Sequence, residues 1–270
     1  MKQTHSTEIR PEGPPRTSEL ISPQEYSLNQ ISASDINAFH QCPRKFYLHR
    51  VLRLGELADK DPKQAANRGS LIHLLLEWGS TDQAEALFVR NQVGEELAAE
   101  ILSVVEAFQG SQFMQQLLAS PKLVREYAFY LQLSSAGQTS HYLKGFIDAL
   151  VWQDDGSLLI VDYKTGRGKA DMAGYQSQAD CYALAGLALL QKGVGERVQV
   201  LMVRPEVVGA DGEPEVFRFD YTASQQEELR LKLLATIEAM EQAQHASLDG
   251  VDPQHCAAFC TLHNTLCAGT

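Results

Sequence analysis

The strongest constraint on how this chain folds lies between Tyr142 and Gly166. A short apolar run, Leu158-Leu159-Ile160-Val161, leads directly into Asp162-Tyr163-Lys164-Thr165-Gly166. Such a run suits a strand buried on both faces. The preceding segment, about Tyr142 to Trp152, reads as a second strand. Between them Asp154-Asp155-Gly156 is a turn signal, because glycine supplies a positive φ that other residues resist. The pattern predicts a hairpin over Tyr142–Trp152 and Ser157–Lys164. A buried strand cannot end in unpaired charges, since an uncompensated carboxylate or ammonium in the interior is too costly to keep.

The hairpin itself supplies partners for those charges. Residues 162 and 164 are two apart, so on a strand their side chains leave the same face. Asp148 reaches that face from the neighbouring strand. Two carboxylates and one ammonium then converge. A divalent cation resolves the repulsion between the carboxylates, and Mg²⁺ is typically held by one or two carboxylates together with water and phosphate oxygens. Lys164 beside the metal-bound water can orient that water, help deprotonate it, or stabilise charge on a phosphate. The same three residues would also suit solvated ion pairs on a surface hairpin.

Two helices carry further patterned residues. In Arg68-Gly69-Ser70-Leu71-Ile72-His73-Leu74-Leu75-Leu76-Glu77, the residues Gly69, His73 and Glu77 recur every fourth position and share one face. A single helical histidine fits a structural role as well as a ligand. In the helix predicted from about Met172 to Gln191, Gln178 and Tyr182 are also four apart. The amide can donate to a phosphate or base and the ring can stack on a base. A surface glutamine beside a packed tyrosine has the same spacing.

In combination and order, these motifs resemble the RecB-like branch of the PD-(D/E)XK nucleases. The motifs are Gly69-x-x-x-His73-x-x-x-Glu77, Gly145-x-x-Asp148, Asp162-Tyr163-Lys164-Thr165-Gly166 and Gln178-x-x-x-Tyr182. With the cysteines described below, the resemblance spans roughly residues 31–267. It implies an α/β, restriction-endonuclease-like core with a central mixed β-sheet flanked by helices, an N-terminal helical part and a C-terminal cysteine clasp. It implies that Asp148 and Asp162 hold Mg²⁺ or Mn²⁺ with His73 assisting, and that Lys164 acts on the attacking water or the scissile phosphate. Gln178 and Tyr182 would position the nucleic acid, with Arg44 and Arg68 as further phosphate contacts. Glu126 resembles a glutamate common at this place in the family, and its own setting suggests a strand-edge salt bridge. The implied activity is that of a DNA exonuclease on single-stranded ends, in repair, recombination or defence, beside a helicase or recombination partner. No Gly-x-x-x-x-Gly-Lys-Ser/Thr loop is present, so the chain is not itself an ATP-driven helicase. A competing possibility from another class is a catalytically silent DNA-binding or assembly module.

Five cysteines are present. Cys42 lies near the N-terminus, in Cys42-Pro43-Arg44-Lys45. Cys256, Cys260 and Cys267 lie at the extreme C-terminus. Four thiolates suit an iron–sulfur cluster or structural zinc. The layout resembles the iron–sulfur subgroup of RecB-like nucleases, which includes the AddB nuclease domain and a CRISPR-associated exonuclease and implies a 4Fe–4S cluster. That subgroup spaces its trio Cys-x2-Cys-x5-Cys, and here each gap is one residue longer. Zinc is therefore an alternative, and His255 or His263 can replace a cysteine as ligand. Cys181 fits a buried apolar position.

Net charge is −11, which argues against a generally nucleic-acid-binding surface. The distribution is uneven: residues 41–70 carry seven Lys or Arg against three acids. Residues 1–30 hold four prolines among polar residues and read as a mobile arm, leaving 31–270 as one domain. Around the hairpin the pattern predicts a helix opened by Ser32 or Ser34 and restarted at Pro43, a polar linker over 55–67, and a helix over 92–118. It also predicts strands at Val124–Leu133, Val198–Val203 and Glu215–Tyr221, and a final helix over Ser224–Gln244. With no signal-peptide pattern and no bilayer-length apolar run, a cytoplasmic protein without membrane contact is expected.

Overall fold

The predicted hairpin forms, and the rest of the sheet assembles around its first strand. The computed structural model describes residues 28–52, 65–134, 140–170, 172–190 and 195–243. In chain order these form β1 (Gln30–Ser32), α1 (Ala33–Gln41), α2 (Pro43–Phe46) running into a π-helical turn (Tyr47–Val51), and α3 (Ala65–Trp78). Next come α4 (Ala84–Arg90), α5 (Glu95–Gly110), α6 (Gln112–Ala119), β2 (Leu123–Gln132), β3 (Tyr142–Trp152) and β4 (Leu158–Tyr163). The last are α7 (Met172–Leu189), β5 (Arg197–Val208), β6 (Pro214–Thr222) and α8 (Gln226–Glu241). Of the predicted arm over 1–30, residues 1–27 lie outside the described residues. Its last part belongs to the domain, since the Leu28 N–H donates to Glu241 Oε1 at 3.0 Å and Gln30 opens β1. Most of the predicted linker, and Cys256, Cys260 and Cys267, also lie outside the described residues.

Local chemistry explains the helix ends. Ser32 caps α1 in a reciprocal box: its Oγ accepts from the Asp35 N–H at 3.2 Å while Asp35 Oδ2 accepts from the Ser32 N–H at 2.9 Å. Cys42 is extended (φ −164°), and Pro43 restarts the chain as α2, where its missing N–H costs nothing. The single helix expected over 92–118 is two. Ser111 breaks it and caps α6, its Oγ accepting from the Met114 N–H at 3.2 Å. The Glu213 carboxylate takes the next two orphan donors, Gln112 N–H at 2.8 Å and Phe113 N–H at 2.9 Å.

The sheet is mixed, in the order β1-β3-β4-β5-β6, with β2 on the other edge of β3. β2 runs antiparallel along almost all of β3. On the opposite edge, β3 meets β1 in parallel at Tyr142–Lys144 and β4 antiparallel at Ala149–Trp152. Residues 145–148 of that edge carry no ladder partner, and this leaves a notch in the sheet. β4 and β5 are parallel, β5 and β6 antiparallel. Helices cover both faces. One core packs Ile31, Ile36, Ile160, Leu184 and Ile237 with α1, α7 and α8, and the other packs Ile72, Leu75, Ile101, Phe108 and Val161 with α3 to α6.

The two faces exchange at the notch. Residues two apart on a regular strand share a face, yet Ile147 belongs to the first core and Ala149 to the second. On β2, Tyr127 packs on the first core and Leu123 on the second. Between them Glu126 has φ +49°, in the left-handed region that non-glycine residues rarely adopt. Glu126 and Asp148 stand opposite one another at this crossing, flanked by the pairs Arg125↔Ala149 and Tyr127↔Ile147. The result is an α/β fold with a central mixed sheet flanked by helices, as the sequence implies.

Candidate active site and metal centre

β3 and β4 part company at Ala149↔Val161, so Asp148 and Asp162 face each other where the ladder ends. Asp148 replaces the missing ladder bond with its side chain: Oδ2 accepts from the Tyr163 N–H at 2.7 Å. The same oxygen lies 3.0 Å from His73 Nε2, brought in by α3. β4 continues against β5, and the Lys164 N–H donates to the Val203 carbonyl at 2.7 Å. This fixes the backbone that carries Asp162 and Lys164. Lys164 Nζ pairs with Asp162 Oδ2 at 2.5 Å.

Gln178 and Tyr182 do converge on the site, from a different side than the sequence suggested. Both are 6% exposed. Gln178 Nε2 donates to the Tyr182 hydroxyl at 3.3 Å and approaches Asp162 Oδ1 at 3.5 Å, and the Tyr182 hydroxyl also bonds Asp162. The Tyr182 ring packs edge-on against Phe129, centroids 6.3 Å apart. Stacking on a base therefore gives way to a buried role, because neither face of the ring is open and both polar groups are committed to Asp162. Gly145 belongs to this arrangement. It sits opposite Phe129, and a Cβ there would lie 3.0 Å from the Phe129 ring.

Glu126 departs from the strand-edge salt bridge its setting suggests. Glu126 has no salt bridge among the described residues, and its Oε1 is buried without a hydrogen-bond partner. Its ligand oxygen, one from Asp148 and a ring nitrogen of His73 lie within 4.8 Å of one another. Burial pushes the Glu126 carboxyl up to about 7, reinforced by Asp148 and Glu77 and opposed by His73. The strand-edge salt bridge failed because the left-handed φ at 126 sits at the face crossing, opposite Asp148. That placement becomes readable only once the β2–β3 register is known. His73, Glu126 and Asp148 thus form the convergent trio, and Asp162 of the expected set of His73, Asp148 and Asp162 lies alongside it.

The electrostatics fit a cation. The bond to Asp148 raises the His73 pKa, against burial. Burial raises that of Asp162, with Lys164 opposing and Asp148 reinforcing. Glu77, Glu126, Asp148 and Asp162 share the neighbourhood with one lysine and one histidine. An imidazole nitrogen and two or three carboxylate oxygens, among them the buried Glu126 Oε1 that lacks a donor, make a donor set suited to Mg²⁺ or Mn²⁺. An open groove of about 380 Å³ runs past this cluster, lined by Gly69, Ser70, His73, Leu74, Glu77 and Thr165. Gly69 keeps it narrow at the base, since a Cβ there would stand 2.8 Å from Thr165 Oγ1.

Basic residues frame the site. Arg125, next to Glu126, donates to the Trp78 carbonyl at 3.1 Å at the end of α3, where Gly79 (φ +66°) leaves room for its guanidinium. Arg68 is held by Glu206 at 2.7 Å and Glu100 at 3.0 Å, so its guanidinium is already engaged. The Gly166 N–H donates to Glu206 at 2.7 Å, and Arg204 donates to the carbonyls of Gly166 and Gly168, which pins the loop after Lys164 to β5. Arg44 sits in α2, which packs on α1, with its Nε buried and without a hydrogen-bond partner among the described residues. Cys42 is buried, and its Sγ accepts from the Lys45 N–H at 3.3 Å. Among the described residues no helix is long and apolar enough to cross a membrane.

No curated protein matches the chain. Among solved structures, the crystal structure of SSO0001 is similar over 92% of this chain and 90% of its own, at 12% identity and a TM-score of 0.45. Residues 30–267 match the sequence profile of the PD-(D/E)XK nuclease superfamily, and that span includes every residue of the notch. The chain therefore belongs to the PD-(D/E)XK nuclease superfamily.

Proposed function

We propose that the protein is a Mg²⁺- or Mn²⁺-dependent deoxyribonuclease that hydrolyses phosphodiester bonds from the ends of single-stranded DNA. The observation that carries this is the meeting of His73, Glu126 and Asp148 beside the Asp162–Lys164 pair, at the mouth of an open groove. His73, Glu126 and Asp148 would hold the divalent cation, with Asp162 beside them. When bound, such an ion polarises the phosphate and makes its water more acidic. Lys164 directs an ammonium at the nonbridging phosphate oxygen or the attacking water. Gln178 and Tyr182 keep Asp162 aimed at Lys164. The water would lose a proton as its oxygen bonds to phosphorus, and the ester P–O bond on the opposite side would break, its oxygen leaving with the sugar and taking up a proton from solvent.

Single-strand and end preference rest on the resemblance to RecB-like nucleases, as does work beside a helicase or recombination partner. Cys42 with Cys256, Cys260 and Cys267 would bind a 4Fe–4S cluster, or zinc. Anaerobically purified protein absorbing near ~400 nm supports iron–sulfur, and a colourless protein with stoichiometric zinc replaces it. The deciding assay is digestion of end-labelled single-stranded DNA and of a closed circle with Mg²⁺ or Mn²⁺, by wild type and Lys164→Ala. Metal-dependent loss of the linear strand, absent in the variant, with the circle intact, is the expected result. No cleavage by folded protein would leave a DNA-binding or assembly module.

A further inference from the structure

Granted the nuclease function proposed above, we infer that Arg167 and Arg68 form a phosphate subsite at one end of the groove, and that Glu100 occupies it as a stand-in until a strand arrives. One carboxylate oxygen, Glu100 Oε1, lies 3.0 Å from Arg68 Nη2 and 3.0 Å from Arg167 Nη2. A phosphate oxygen bridges two guanidinium groups in the same way.

The two carboxylates that hold these arginines differ in kind. Glu206 has no exposed side-chain surface, lies 2.7 Å from Arg68 and 3.4 Å from Arg167, and accepts the Gly166 N–H. It is part of the fold and neutralises one of the two positive charges. Glu100 is 40% exposed and faces an Arg167 that is 60% exposed. An ion pair in that setting contributes little and is readily exchanged. Once Glu100 moves aside, the cluster keeps one net positive charge, which matches one phosphate.

Position agrees with this. Arg68 precedes Gly69 and Arg167 follows Thr165 by two residues, and both Gly69 and Thr165 line the groove. His73 is five residues further along α3, about 7.5 Å along its axis. The subsite would therefore hold a phosphate near the scissile one.

The test is equilibrium binding of a fluorescein-labelled single strand in EDTA, which reads the subsite without hydrolysis. Glu100→Gln is expected to bind about two- to fivefold tighter. Arg167→Ala is expected to bind more weakly, with a plot of log affinity against log salt shallower by about 0.7. Arg167→Lys should retain that slope. Both positions are solvent-exposed and Arg68 still compensates Glu206, so the Tm should stay near wild type. A Glu100→Gln protein that binds no tighter, together with an Arg167→Ala protein of wild-type affinity and slope, overturns the subsite. In that case metal-dependent digestion lost in Lys164→Ala leaves the nuclease function intact. Tighter binding without any digestion would instead uphold the subsite and remove the hydrolytic function.

Discussion

Two buried carboxylate sites lie on opposite sides of α7, reached by residues two apart in sequence, and they are built on different terms. Asp180 faces α8 and β6. Its Oδ1 accepts from the Tyr221 hydroxyl and Gln176 Nε2, both at 2.8 Å, and its Oδ2 pairs with Lys232 at 2.6 Å. Every neighbour named there is a donor. Gln178 and Tyr182 face the sheet and Asp162, where carboxylates outnumber cations and Glu126 keeps a buried oxygen without a donor. Buried polar groups are normally satisfied. The Asp180 cluster is closed and belongs to the fold, whereas the notch holds an excess of carboxylates and an acceptor left open, as a candidate cation site would.

Exchanging the acids should separate these roles most sharply. Asp148→Asn keeps an acceptor for the Tyr163 N–H and removes a like charge. Digestion should fall by on the order of 10³-fold while the Tm holds or rises. Asp180→Ala should do the reverse. Leaving buried donors without their acceptor costs about 2–3 kcal/mol, or roughly 5–10 °C in Tm, with the turnover of folded molecules unchanged. An Asp148→Asn protein that unfolds, or an Asp180→Ala protein as stable as wild type, would break the distinction.

A smaller effect sharpens it. Mn²⁺ at about 100 times its Kd should add about 2.7 kcal/mol of stability to wild type and much less to Glu126→Gln, read as a shift in Tm. Equal shifts would remove Glu126 from the metal site. Smallest is the pH response of metal-free protein. Glu126 has a folded pKa of about 7, above its ordinary 4.5. The folded state thus keeps a proton that the unfolded state releases. The stability this adds is complete below about 4.5 and is lost as pH rises through 7. His73, also raised, contributes with the same sign. The Tm should fall between about pH 5 and 8, and less steeply in Glu126→Gln.

The sequence foretold those parts whose cause is local. β3 matches its predicted bounds, and β4 and α7 differ by one or two residues at their ends. Asp148, Asp162, Lys164 and His73 meet as expected, because period-two and period-four spacing decides which side chains share a face. What escaped depends on distant partners. The Ser111 break is secured by Glu213, about a hundred residues away. The short β1 strand is defined by pairing with Tyr142–Lys144 rather than by its own pattern. Glu126 carries no local signal, since its role follows from a backbone angle and from the residue opposite. The engagement of Arg68 by Glu206 likewise joins positions 138 residues apart.

The left-handed backbone at Glu126 has one further consequence. Glycine adopts φ +49° without the steric penalty that a glutamate side chain incurs. A glycine there would also remove a half-buried carboxylate from a neighbourhood already rich in negative charge. Both changes favour the folded chain, and the second takes a carboxylate from the candidate metal centre. Position 126 is thus where selection for a more durable protein and selection for a working one point in opposite directions.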